Sequence, residues 1–554
     1  MDLPNSDIDN SSASVTINGD SIIGGLVAEF KRGNINTSYT IGNITGTATY
    51  AVAGGLAGKI TSTDANVSRS YSESNVTAGS GAGFVAAVAG TIRNSYSKGN
   101  VSGSYSSGFA RTGTATIINS YSAGSVSGTN AKAFTQSTTL TISNSYWDTD
   151  NTSLTDASDA IEASTANMNI LSTFTDAGWD FTNTWILDAS VNDGYPTFSF
   201  ASHVPTSEVP SGDGSSATPY LIANLGNLIW VSENSASWNA KYFKQTEDIN
   251  ALFSKNLDSG QGLTPIGTDS FTPFKGYYDG NGKTISNAYI NRTAPYIGIF
   301  GHIGGAAEIR SLNIVDANVT GTTTNQQATG LGILVGSAID NVSTIVFRDI
   351  NISGTLTLKD VDTEYASVGG MAGSVGNDVD IDNVETNVSI ISQDTTLENT
   401  LGGLIGYMNN DSDGTAQDII QQSGAKGSIV STSTKEHIGG LIGTLQGGNS
   451  TYVNKIRYSY ASTTITALSN STSGSVGGFI GRFYGSATWL YNSYTTSNIT
   501  VGSSDRVGGF FGLIDFTPAL VVTNFFNCYS ASTITGGSDG AFGGFRTNNS
   551  TDQV

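Results

Sequence analysis

Charge, histidine and cysteine are scarce in this sequence. Charged residues fill 12% of its 554 positions, about half the usual share of roughly 25%. A single cysteine, Cys528, excludes an intrachain disulfide framework and any cysteine-rich metal centre. His203, His302 and His437 lie far apart, fit no zinc spacing and allow no His-Glu-x-x-His motif. No apolar run approaches the ~18 residues of a membrane-spanning helix. The opening stretch is polar and acidic, without the basic start and apolar run of a signal peptide. The 24 Lys and Arg against 45 Asp and Glu leave a net charge of −21. Such a surface repels phosphate backbones and anionic membranes, so neither nucleic acid nor membrane insertion is expected.

Glycine, by contrast, is abundant: 68 residues. Serine and threonine supply about a quarter of the chain, and apolar residues make up 38%, enough to fill a core. The apolar residues fall in repeats. "NINTSYTIGNITG" (34–46), "NVSRSYSESNVTA" (66–78), "TIRNSYSKGNVSG" (91–103) and "TIINSYSAGSVSG" (116–128) share one pattern, and "TISNSYWDT" (141–149) begins another copy. Tyr71, Tyr96, Tyr121 and Tyr146 follow one another at 25 residues, and Tyr39 precedes Tyr71 by 32. A looser array follows, marked by "VGGMAG" (368–373), "LGGLIG" (401–406), "IGGLIG" (438–443), "VGGFIG" (476–481) and "VGGFFG" (507–512), with "AFGGF" (541–545) opening one more. Periods of this size indicate a stacked solenoid.

Within each repeat, short segments alternate β-branched or aromatic residues with small polar ones, the pattern of strands with one inward face. Each repeat is too short to bury its own apolar side; stacked copies bury a continuous core of Val, Ile, Phe and Tyr. The expected fold is all-β: a parallel β-helix, taken as a right-handed β-solenoid, in two tandem arrays with short cap elements between them. Gly and Asn should supply the positive φ that sharp corners need. The Gly-Gly motif reads as a tightly packed corner and not a phosphate loop, because no copy continues into Lys-Ser/Thr.

Residues 1–147 form the first array in this reading. Residues 148–211 form its C-terminal cap and a linker, with a helix around 157–172 and the aromatic run Trp179, Trp185, Tyr195 hiding the last rung. Residues 212–295 form the N-terminal cap and lead-in of the second array, with an amphipathic helix through Leu225, Leu228, Ile229 and Val231. Residues 296–554 form the second array. No cap is evident before the first array or after the second. That suggests a piece of a longer repetitive protein, or end rungs that stack head to tail between molecules.

The search for chemistry gives no catalytic residue. Asp378, Asp380 and Asp382 alternate, so a strand would set all three on one face, where they could hold Ca²⁺ or simply be solvated. "LKDVDTE" (358–364) and "NNDSDG" (409–414) are further acidic clusters, but the second lacks the Glu of an EF-hand. The metal assignment therefore stays open and no cofactor is expected. "STTIT" (462–466) and "TTT" (322–324) hint at ice binding, yet threonine does not recur at one position in each rung. Asn-x-Ser/Thr sequons at Asn36, Asn43, Asn66, Asn75, Asn100, Asn318, Asn341, Asn351, Asn387 and Asn498 follow the repeat strands. Cys528 stands where other copies have Ser and reads as an inert thiol.

These motifs resemble the GLUG-repeat family of secreted and cell-surface adhesin-like proteins. The matching stretches are "GGLVAEF" (24–30), "GGLAGKI" (54–60) and the "GGLIG" copies, followed by "NSY" and "NVSG" segments. "GDGSSATPYLI" (212–222) and "FKGYYDGNGKTISNAYINRT" (274–293) resemble the family's lead-in. "NSYWDT", "GWDFTNTW" and "GYPTF" resemble its array terminator. The resemblance implies a non-enzymatic extracellular or cell-surface protein acting as stalk, fibre or adhesin. Its expected partners are glycans or other surface proteins, bound along a lateral face. A carbohydrate-active β-helix enzyme and a self-assembling filament subunit are the alternatives.

Overall fold

The structure, a computed structural model, describes residues 7–545 apart from 155, 157, 323–329, 341–342, 360–364, 395–397, 410–416, 434, 448–452, 468–473, 486–487, 503–505, 516–523, 537 and 541–542. The chain forms two compact units, Met1–Ala201 and Ser202–Val554. Both are parallel β-helices, as the repeats require. Among the described residues the first unit holds a six-stranded, a nine-stranded and two four-stranded sheets, and the second holds one sheet of 19 strands and two of eight.

Each repeat is one turn, and equivalent residues of successive turns pair in register. Ile8, Ile35, Val67, Ile92, Ile117 and Ile142 form one such column. In the second unit Leu331, Val368, Leu401, Ile438, Val476 and Val507 form another. Alternation along each strand turns these side chains inward, and burial of each stabilises the coil by about 1.5–3 kcal/mol.

The interior of the first unit divides into two apolar clusters, one around Ile92, Ile117, Phe84 and Phe109, the other around Ile44, Val76 and Val101. Between them the coil is pinched. Here the second position of the Gly-Gly motif, which stays glycine at Gly83 and Gly108 where the first is Ala or Ser, faces the Ser or Thr that follows the outward column residue, a tyrosine in most turns. Thr40 Oγ1 donates to the Gly55 carbonyl at 2.8 Å and Ser97 Oγ to that of Gly108 at 2.6 Å. In the second unit Thr386 Oγ1 meets the Gly403 carbonyl and Thr495 Oγ1 that of Gly478, both at 2.8 Å. A Cβ on Gly55 would lie 2.0 Å from the Gly83 carbonyl oxygen and 2.1 Å from Ser72 Oγ. These glycines are needed for space; their φ is not in the left-handed region. Positive φ belongs instead to the residue before the "SY" step, with Asn94, Asn119 and Asn144 at 48°, 49° and 48°. Asparagine tolerates that conformation at little cost.

One local expectation changes. The helix foreseen around 157–172 is replaced by the strand Ile161–Ala163, which pairs in parallel with Tyr146–Asp148, and by the short helices Thr165–Met168 and Leu171–Thr175. The edge left by the last "NSYW" strand captures the segment first, and Ser164 caps the helix only afterwards, its side chain accepting from the Asn167 N–H. The helix in the lead-in of the second unit spans Leu225–Glu233 and buries Leu225, Leu228, Ile229 and Val231. Asn224 is its N-cap. A turn at "DGNG" bends the chain between the strands Lys275–Asp279 and Thr284–Ser286, with Asn281 and Gly282 at φ of 53° and 73°.

The pinch sets a test. At Gly440 a Cβ would stand 2.0 Å from the Gly478 carbonyl oxygen, so Gly440→Ala should cost about 3 kcal/mol. Gly282 has open space around it, so Gly282→Ala should cost only the left-handed backbone penalty of about 1–2 kcal/mol. Thermal melts of both variants followed by circular dichroism would measure the difference; equal losses would contradict the pinch.

Candidate functional site

Because the serines flanking each repeat tyrosine face inward, the tyrosine faces outward. In the strand Tyr71–Thr77, Ser72, Ser74 and Val76 enter the interior while Tyr71, Glu73, Asn75 and Thr77 line the outer face. These tyrosines are buried, as expected of core residues, with Tyr71, Tyr96 and Tyr121 at 0% exposure, but they lie outside both interior clusters. They stack in register instead. Tyr39, Tyr71, Tyr96 and Tyr121 have successive ring centroids 4.6, 4.8 and 4.9 Å apart, with their planes nearly parallel.

In the first unit Tyr71, Tyr96, Tyr121 and Tyr146 are nonetheless buried and Tyr39 half-buried, because residues 172–200 return along this ladder as a strap. Trp185 and Phe198 lie against Tyr96, Trp179 and Tyr195 against Tyr121, and Phe174 against Tyr146. Tyr121 donates its hydroxyl to the Pro196 carbonyl at 2.6 Å, and Tyr146 donates to that of Thr173 at 2.9 Å. Lys98 pairs with Asp193 at 2.6 Å. The aromatic run expected over the last rung thus covers the side of the coil. A column of phenol rings exposes a continuous apolar strip whose hydroxyls need partners, and a turn-rich aromatic segment, folded back on itself where Ile186 pairs antiparallel with Thr197, supplies both cover and carbonyls.

In the second unit the same column reads Asn313, Asn351, Glu385, Gly424, Tyr460, Tyr494 and Tyr529. Its first half is polar, beside a hollow of about 380 Å³ lined by residues including Asn313, Asn351, Asn387 and Lys426. Its second half is a ladder, with Tyr494 and Tyr529 stacked at 5.2 Å and Tyr460 and Tyr494 at 5.6 Å. Glu385 and Lys426 mark the junction. Tyr460 donates to Glu385 at 2.7 Å, Lys426 Nζ lies 3.1 Å from the same carboxylate, and it sits over the Tyr460 ring. The Tyr460 hydroxyl and then Lys426 hold Glu385 below the usual carboxylate range; hydrogen bonds to Tyr460 and Glu385 push Lys426 up to about 12. Tyr529 is 54% exposed, and Tyr458 and Phe526 beside the ladder are 57% and 60% exposed, where Tyr71, Tyr96 and Tyr121 are at 0%. Contiguous exposed aromatics of this kind mark binding surfaces. Sequence reasoning missed this face; the legible signal was the run of alternating small polar residues on either side of each tyrosine.

The acidic candidates arrange themselves otherwise. Asp380 and Asp382 share one outer face of the strand Val379–Ser392. Asp378 precedes the strand at φ 83° and accepts from Thr344 at 2.8 Å, so the three do not align. The positive φ turns Asp378 out of the alternation. Arg348 lies across the remaining two, 3.5 and 3.6 Å from their carboxylates. Among the described residues no group of three or more acidic, histidine or cysteine side chains could hold a metal ion. Residues 360–364 of one acidic cluster and 410–414 of the other lie outside the described residues, as do Asn341 and Thr323–Thr324.

Several buried groups have reactive-looking chemistry but no access. Glu436 accepts from Ser392 at 2.6 Å beside Asp394, and burial raises it to about 7. His437 Nδ1 is 2.8 Å from Ser475 Oγ, but burial and then Arg482 lower this histidine to about 3, and the Ser475 hydroxyl is turned to the Gly481 carbonyl at 2.9 Å. Both side chains are buried. Cys528 is half-buried, its thiol raised by burial. Of the described sequon asparagines, Asn43, Asn75, Asn100, Asn318, Asn351, Asn387 and Asn498 are exposed and Asn36 and Asn66 half-buried, and Asn75 bonds Asn43 of the preceding turn at 3.2 Å.

Comparison with known proteins adds limited reach. No family model matches the sequence. Over 154 residues it is 31% identical to halomucin of Haloquadratum walsbyi, covering 27% of this chain and 2% of that protein. Over 156 residues it is 32% identical to an Evansella cellulosilytica protein provisionally named a Gly-rich membrane protein, covering 27% of this chain and 17% of the relative. The matches therefore span a small part of both relatives. A solved Bacteroides ovatus structure, provisionally named an immunoglobulin A1 protease, is similar at 19% identity and a TM-score of 0.38, covering 58% of this chain and 86% of that one. Among the described residues no helix is long and apolar enough to cross a membrane.

Asp418 offers a pH test. It is fully buried, accepts from the Asp378 and Val379 N–H groups at 3.0 and 2.9 Å, and burial raises it to about 7. Unfolded, an aspartate releases its proton near ~4. The folded state therefore binds the extra proton between those values. The group's favourable contribution is complete below ~4 and is lost as pH rises through about 7. Asp418→Asn keeps a carbonyl for both N–H groups and carries no charge. Its melting temperature should exceed that of the parent at pH 8, by an amount equivalent to a few kcal/mol, and the gap should shrink steadily towards pH 5.

Proposed function

We propose that this chain is a non-enzymatic stretch of a secreted or cell-surface repeat protein of the GLUG-motif kind, serving as a stalk or adhesin-like binding surface. The observation that carries this reading is the in-register parallel ladder sustained turn upon turn through each unit. Such a ladder resists local opening, because every strand between the end turns is hydrogen-bonded on both sides. The similarity to halomucin and to a protein named for a membrane supports placement at the cell surface. The net charge of −21 and the hydroxyl-rich exterior suit a protein that stays solvated outside the cell. Binding, in this reading, uses the outer face of the second unit, where polar and aromatic columns meet.

Two measurements test it. An antiserum against the purified chain should label intact cells of the source organism, and external protease should remove that label; reactivity only after lysis would refute surface placement. Incubation with cell-wall and capsular polysaccharides should release no new reducing ends. Turnover that disappears in Asp380→Asn would instead establish an enzyme.

A further inference from the structure

The strap of the first unit carries a turn, Asn192–Gly194, that lies on the coil beside the tyrosine column. Asn192 is buried, and both ends of its side-chain amide are held. Nδ2 donates to the Tyr121 hydroxyl at 3.0 Å and to the carbonyls of Pro196 and Tyr195 at 3.2 and 3.3 Å. Oδ1 accepts from Lys98 Nζ at 2.9 Å. The lysine therefore points its nitrogen at a fixed, buried carboxamide that comes from a distant part of the chain, 94 residues on.

Glu73 completes the group. It stands one turn before Lys98 on the same outer face, because Ser72 pairs with Ser97 and the Lys98 N–H donates to the Ser72 carbonyl at 2.9 Å. The Tyr96 hydroxyl reaches its carboxylate at 3.4 Å, and burial, working against the attraction of Lys98, raises Glu73 from its ordinary value. Trp185 and Phe198 against Tyr96, and Tyr195 against Tyr121, wall the place off. A lysine, an asparagine and a carboxyl group that readily takes up a proton, enclosed by aromatic rings, are the components of an amide exchange between side chains. Partners locked ~3–3.5 Å apart react as though at very high concentration, and the aromatic wall keeps out the water that would compete. Asp193, the lysine's other neighbour at 2.6 Å, is 81% exposed, and a carboxylate is a poor electrophile, so it orients the ammonium group without reacting.

We infer that Lys98 and Asn192 join spontaneously in an isopeptide bond, with Glu73 as the proton carrier. The Lys98 nitrogen bonds to Asn192 Cγ as the bond from Cγ to Nδ2 breaks. Of the three protons on the ammonium nitrogen, one stays in the new amide. Glu73 takes the other two in turn and passes them to Nδ2, which leaves as an ammonium ion. Charge is conserved, and nothing is oxidised or reduced. The product ties the strap covalently to the coil between Tyr96 and Tyr121, so the aromatic cover cannot peel away. This goes beyond a surface role for the protein and stands or falls separately from it, since the reaction needs only the folded first unit.

The test is the intact mass of the purified full chain after incubation at neutral pH. The chain should be lighter than its sequence by one ammonia molecule. Tryptic digestion should give a branched peptide that joins Lys98 to Asn192 and is uncut after Lys98. Lys98→Arg keeps a cation for Asp193 but offers no amine nucleophile, and Glu73→Gln removes the proton carrier. Both variants should keep the full mass with an unchanged circular dichroism spectrum. The branched peptide of the parent chain decides the matter even if a variant misfolds. A parent chain that keeps its full mass would overturn the proposal. So would an ammonia loss traced to a cyclic imide at Asn192 or at the Asn281–Gly282 step, a loss of water with the branch at Asp193, or bond formation undiminished in Glu73→Gln.

Discussion

The fold depends on one close approach, that of a glycine carbonyl to a serine or threonine hydroxyl across the interior of the coil. Where Ser97 meets Gly108, and Thr386 meets Gly403, two strands come nearer than any side chain on the glycine would allow. The approach divides the interior into two lobes narrow enough for single Ile, Val and Phe side chains to fill. It also satisfies a buried hydroxyl and a carbonyl that would otherwise be left without partners in an apolar surrounding. The two recurring motifs, Gly-Gly and Ser-Tyr-Ser/Thr, are the two sides of this single contact.

From that contact follows the exposure of the tyrosines. A serine held inward fixes its neighbour outward, because strand side chains alternate. Aromatic area that might have enlarged the core is placed on the flank, where each unit treats it differently. The first unit covers it with its own chain and seals Glu73 and Lys98 beneath. The second presents it beside Glu385 and Lys426. Chemistry that looks catalytic, such as the Ser475–His437 pair and the Asp394–Glu436 neighbours, is buried and holds successive turns together.

Much of this was legible in the residues alone. The spacing of Tyr71, Tyr96, Tyr121 and Tyr146 announces stacked turns, and the columns of Ile and Val follow from two-residue alternation. The asparagine corners and the lead-in helix are readable by the same local rules. What escaped reading depends on contacts between distant segments. Whether Tyr121 is core or flank is decided by Gly108 and Ala133 on the opposite wall, and whether it is then covered is decided by Trp179 and Pro196, more than fifty residues on. Ile161–Ala163 becomes a strand because an open sheet edge lies next to it, which local propensity does not record. Asp378 leaves the acidic row through a single backbone angle.

The regular step of 25 residues between Tyr71, Tyr96, Tyr121 and Tyr146 has an evolutionary corollary. Any 25 consecutive residues removed from that interval carry away one whole turn, and the turns on either side meet with every partner restored. Recombination between such repeats can therefore lengthen or shorten the coil by whole turns while keeping its ladders in register. The strap sets a limit to this in the first unit, because Trp185 and Trp179 are fitted to the turns of Tyr96 and Tyr121.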